Sequence, residues 1–134
     1  MFQGLSRWSP YALAALRIVT ALLFIEHGLV KLVGFPPGAP PGPQPLASLL
    51  GAAGAIELVA GLLVLIGWQT RPAAFIASGE MAVAYFMFHA PGGFYPVLNM
   101  GEGAILFCFV FLYLACAGPG ALSLDGRGSA VRTP

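Results

Sequence analysis

Arg17-Ile18-Val19-Thr20-Ala21-Leu22-Leu23-Phe24-Ile25-Glu26-His27-Gly28-Leu29-Val30-Lys31-Leu32 is the stretch whose reading decides the fold. It is apolar enough to enter a bilayer, yet it carries four ionisable side chains, Arg17, Glu26, His27 and Lys31. Each is costly in hydrocarbon unless a partner or a water-filled cavity receives it. The stretch therefore predicts a membrane span whose charges are answered from other spans.

The whole chain supports that reading. Of its 134 residues 58% are hydrophobic and only 8% charged, and the mean hydropathy is +0.86. An average soluble domain is about 25% charged. About 20 apolar residues cross a bilayer core, so the length accommodates four spans with short connections and leaves no room for a separate soluble domain. The net charge of +1 comes without basic runs, which argues against a nucleic-acid partner. A cleavable signal peptide is excluded for the first span because its apolar run is too long, is interrupted by charge and leads into no small-residue cleavage site.

The spans fall at about 11–33, 46–68, 72–89 and 97–117. Arg7 and Trp8 anchor the first at an interface, and Pro10 suits a first helical turn. Residues 36–45 hold six prolines and two glycines, a composition that forbids helix and predicts an extended connector. Gly51, Gly54 and Gly61 in the second span permit close approach of another helix. Ala73, Ala77, Glu80 and Ala84 form one narrow face of the third. A polar segment, 121–134, closes the chain and reads as a flexible tail. Cys108 and Cys116 are eight residues apart, about 12 Å along a helix, too far for a disulfide. Arg7, Arg71, Arg127 and Arg132 all fall on one side of this arrangement, so the positive-inside rule places both termini in the cytoplasm. The fold class is an all-α integral membrane four-helix bundle.

Depth, at 1.5 Å per residue, sorts the charges into two groups. Counted from the cytoplasmic side, Arg17, Glu80 and Glu57 lie about 9, 12 and 16 Å in, which predicts an inner cluster of structural buried charges. Glu26, His27 and Lys31 lie farther out, near His89 at the end of span three and Asn99 and Glu102 at the start of span four. His27, Lys31, His89, Asn99 and Glu102 are the ligand candidates, and His27, Glu102 and Glu26 the candidate proton donors or acceptors. On a helical wheel Glu26 points away from Arg17, so its partner is undetermined by the sequence. An imidazole or carboxylate beside an apolar pocket suits a quinone, whose carbonyls accept hydrogen bonds and whose reduction takes up protons. No haem or metal is expected, because His89 sits at a helix end. No nucleophile or phosphate-binding motif is present.

These features resemble the DoxX family of small four-span bacterial membrane proteins. The resemblance rests on Arg17 with Phe24, His27-Gly28 and Lys31-Leu32, on Glu57 among glycines, on Asn99 with Glu102, and on Gly118-x-Gly120-x-x-Ser123-x-Asp125. It implies a bundle of the bacterial cytoplasmic membrane and at most a subunit of a quinone-linked oxidoreductase, with protein partners in a membrane complex or a homo-oligomer. The alternative is a non-catalytic scaffold or assembly protein whose buried charges hold the helices in register.

Overall fold

Pro10 occupies the first turn of helix α1 (Ser9–Val33), where its missing N–H costs nothing, and a 3-10 turn over Gln3–Trp8 precedes it. The computed structural model describes residues 3–129. Helix α1 ends at Gly34, whose left-handed φ of 73° lets the N–H groups of Gly34 and Phe35 return to Val30 and Leu29. The proline-rich connector follows without regular helix, as its composition demands. Helix α2 (Leu49–Ile66) starts where the Ser48 hydroxyl accepts the Gly51 N–H at 3.0 Å and stops at Gly67 by the same left-handed device. Helix α3 (Thr70–Ala84) runs on through a π turn over Tyr85–His89 and a 3-10 turn over Ala90–Gly92.

The fourth span is broken, where the sequence predicts one helix over 97–117. A short helix α4 (Pro96–Asn99) stops at Met100, which is left-handed, and α5 (Glu102–Ala117) restarts beyond Gly101. The Asn99 side chain causes the break: its Oδ1 accepts the Gly101 N–H at 2.8 Å, offering the backbone a turn in place of a helical bond.

Helices α1 and α2 pack as one antiparallel pair and α3 and α5 as another. In the first pair Gly28 lies so close to α2 that a Cβ there would stand 2.9 Å from the Gly54 carbonyl oxygen and from the Leu58 nitrogen. Only glycine permits that approach. The second pair uses the predicted small-residue face, with Ala73 and Ala77 buried against α5 and the Ser78 hydroxyl donating to the Cys108 carbonyl at 2.8 Å. Phe24, Val64, Phe111 and Leu114 fill the centre between the pairs. Outside, α1, α2 and the run from α3 to Gly92 are long and apolar enough to cross a membrane and α5 is a shorter apolar helix. Side chains such as Leu62, Phe75 and Phe109 cover that outer surface. The architecture is an all-helical membrane bundle.

Arg17 is not part of an inner acidic cluster. It lies level with the end of α2 and, fully buried, donates to five carbonyl oxygens: Val64 and Leu65 in α2, and Pro119, Ala121 and Leu122 beyond α5. The depth count fails because α1 overhangs α2 at this end, so Arg17 meets carbonyls freed at a helix terminus rather than carboxylates farther in. The same contacts correct the reading of 121–134 as a flexible tail. Within its described part, Ser123 is buried against Gly67 and a short helix α6 (Leu124–Ser129) follows. Residues 130–134, with Arg132, lie outside the described residues.

Asp125 completes this end by accepting the N–H groups of Gln69 and Thr70 at 3.0 and 2.9 Å, which caps α3. Burial would raise its carboxyl, but those N–H groups and the positive Arg17 outweigh it and hold the group below the usual 3.8. A lowered folded value contributes stability that is complete above about pH 4 and is lost as the pH falls through that lowered value. Thermal denaturation in detergent should therefore show the wild type losing its advantage over Asp125→Asn as the pH falls below about 4. Parallel pH curves for the two proteins would contradict the cap.

Candidate ligand cavity

The Gly28–Gly54 contact brings α1 and α2 close enough for a cross-helix ion pair one turn farther along. Lys31 passes its Cβ over Gly54, 2.8 Å from where a Cβ would stand there, and its Nζ reaches both Glu57 oxygens at 2.5 and 2.6 Å. The carboxylate is 1% exposed and the lysine side chain 12%. By helical rise from Gly67, Glu57 is about 15 Å into the bundle. Such a pair is stabilising only when the ammonium and carboxylate satisfy one another, as these do.

The pair forms part of the wall of a cavity of about 400 Å³. From α1 come His27 and Lys31; from α2 Leu50, Ala53 and Glu57; from α3 and its π turn Glu80, Met81, Ala84, Phe88 and His89; from the fourth span Met100, Gly103, Ala104 and Phe107. The proline-rich connector adds Pro40 and Pro41. His27 stands edge-on to Phe107, with ring centroids 5.8 Å apart. Both carboxyl oxygens of Glu80 are buried and neither accepts a hydrogen bond from the described residues.

His89 reaches this cavity because of the π turn. Nine residues of regular helix would place it about 180° from Glu80. Instead the Ala90 N–H returns five residues, to the Tyr85 carbonyl, and the wider turn brings both side chains to one wall. The His89 Nδ1–H donates to the Asn99 carbonyl at 3.1 Å, and since a carbonyl can only accept, a neutral ring carries its lone pair on Nε2. Asn99 does not line the cavity. Its amide donates to the Gly93 carbonyl at 2.8 Å and to the Tyr85 hydroxyl at 3.4 Å, so it braces the turn that aims His89.

Of the predicted ligand residues, His27, Lys31 and His89 come together, Asn99 supports them from behind, and Glu102 is exposed at the start of α5 outside the cavity. Glu26 is also exposed and outside it. Glu57 and Glu80, predicted to sit with Arg17, belong to the cavity instead. Glycines in both spans carried a signal for this: a crossing at Gly28 and Gly54 sets Lys31 against Glu57. Phe107 and Met81 had none beyond being apolar.

The DoxX family pattern matches residues 12–90, which include Arg17, His27, Lys31, Glu57, Glu80 and His89. The chain belongs to the DoxX family. It is 44% identical to an uncharacterized protein of Haemophilus influenzae, over 92% of this chain and 96% of that one. The inner membrane proteins YqjF and YphA of Escherichia coli are 31% and 30% identical, over 81% and 88% of this chain and 85% and 91% of theirs. No solved structure matches this DoxX chain.

Removing one member of a buried ion pair strands the other. Lys31→Met and Glu57→Leu should each cost about 3–5 kcal/mol in detergent unfolding, while the double substitution should recover most of that loss. A double variant as unstable as the sum of the two single ones would show that the pair is not coupled.

Proposed function

We propose that this DoxX protein is a quinone- or quinol-interacting component of a membrane oxidoreductase complex, with the headgroup held in the cavity beside Lys31 and Glu57. The observation that carries the reading is a surplus of hydrogen-bond acceptors at membrane depth. The His89 ring, with Nδ1 donating to the Asn99 carbonyl, turns Nε2 to the cavity, and Glu80 has two oxygens that no described protein donor reaches. A hydroquinone has two hydroxyl groups to give, and its ring suits the apolar surface of Met81 and Phe107. The oxidised form is accommodated by the other polar groups, since His27 and the third proton of Lys31 can donate to carbonyl oxygens.

In this reading quinol oxidation breaks two O–H bonds. One proton passes to His89 Nε2 and the other leaves for water by way of the Glu80 carboxyl, which takes it on one oxygen as it gives up its own from the other, and both electrons leave to a redox group carried by a partner protein. The membrane is read as the bacterial cytoplasmic membrane, as the relatives' names suggest for those proteins, with both termini on the cytoplasmic side beside Arg7, Arg71 and Arg127. The scaffold reading draws on the carbonyl cluster around Arg17, and would make cavity substitutions silent while Arg17→Ala lowers membrane abundance.

Protein purified in mild detergent should release isoprenoid quinone on solvent extraction. Quinol turnover by its native complex should fall at least about a hundredfold in His89→Ala, the low end for loss of a proton-transfer group, about tenfold in His27→Ala, which loses a hydrogen bond to the headgroup, and stay within about twofold in Glu102→Gln, whose side chain lies outside the cavity. Absence of bound quinone together with unchanged turnover in both histidine variants would remove the proposal.

A further inference from the structure

Glu26 is the one carboxylate of α1, and it faces out of the bundle. With Phe24 and Gly28 turned to the core, Ile25 to Gly61 of α2 and His27 to Phe107 of α5, position 26 falls on the opposite side of the helix. Around it on that face lie Val19, Leu22, Leu23 and Val33, all exposed and all apolar. Glu26 is itself exposed and makes no hydrogen bond or ion pair among the described residues. It is nine residues from Arg17, which is level with the end of α2, so it stands about 13 Å from that end. The other end of α1, at Val33, is about 10 Å away in the opposite direction.

At that depth the side chain is too short to reach either interface, unlike lysine or arginine with their long stems. Nor does it open into the cavity, whose lining does not include it. Ionisable groups inside a membrane face a protein interior or water. A carboxylate that faces neither in this bundle has its protein interior in a larger assembly. A second copy meeting this one face to face would set Glu26 against Glu26, with only apolar neighbours to offer in return.

We propose that the outer face of α1 is a docking surface for a transmembrane helix of a different polypeptide, one that presents a cationic or amide side chain to Glu26 at mid-membrane. The flat apolar surface of Leu22, Leu23 and Val19 supplies the packing area, and the carboxylate sets depth and rotation. Interhelical polar contacts of this kind fix register within bilayers.

A photo-crosslinking amino acid at Leu23, in the full-length protein in its native membrane, tests the surface, with the same probe at Phe109 on α5 as the lipid-facing control. The expected product joins position 23 to a transmembrane segment of another protein that has Lys, Arg, His, Asn or Gln at its middle. Its yield should drop at least about fivefold in Glu26→Leu, and as much again when the partner's polar residue is changed to leucine. Glu26→Leu makes the span more apolar, so loss of insertion is not the expected cause, and equal crosslinking at Phe109 in both backgrounds checks this. Adducts to lipid only, to a second copy of this chain, or to a helix without a central polar residue would overturn the proposal. So would a yield unchanged by Glu26→Leu.

Discussion

A lysine and a glutamate buried together between two glycine-spaced helices set the terms for this protein. Neither charge is tolerable alone in hydrocarbon, and Lys31 meets Glu57 at 2.5 and 2.6 Å. The pair sits beside the point where Gly28 and Gly54 let α1 and α2 approach most closely. Once α1 and α2 are fixed at that spacing, the second pair of helices closes over them through Phe24 and Phe111, leaving on the Lys31 side a mainly apolar space with a few polar groups in its wall. Fold and cavity share one cause.

The opposite end of the bundle is organised by a different cation. Among the described residues no carboxylate is in hydrogen-bond contact with Arg17; its fork is spent on five carbonyl oxygens at the end of α2 and in the segment after α5. A planar guanidinium with five N–H groups suits this task and an ammonium with three would not. The Gly118-x-Gly120-x-x-Ser123-x-Asp125 motif wraps the same point. Gly120 lies against Pro10 and Ala14, Ser123 against Gly67, and Asp125 caps α3. Four elements are tied together where the chain would otherwise fray.

The all-helical membrane fold and the inward face of α3 were legible in the sequence, because hydropathy and small-residue spacing act locally. The pairing of charges was not. Depth counted along each span assumes that helices begin at one level, and α1 overhangs α2 by enough to move Arg17 away from both acids. His89 was placed by its position near a helix end, yet its direction depends on one π turn that no periodicity announces. Asn99 was picked out as polar and functional, whereas its work is on the backbone: it breaks the fourth span and holds the imidazole. The glycines were legible as contact points, and pairing Gly28 with Gly54 would have led from Lys31 to Glu57.

The central claim is that the Lys31–Glu57 pair borders a space which receives a quinone-type ring from the bilayer. Photolabelling with an azido-quinone in reconstituted vesicles, followed by mapping of the modified peptides, addresses it directly. The account predicts label on Met81, Phe88 or Phe107, displaced by excess unlabelled quinol. Label spread over the outer surface at Leu62, Phe75 and Phe109, and insensitive to quinol, would contradict it.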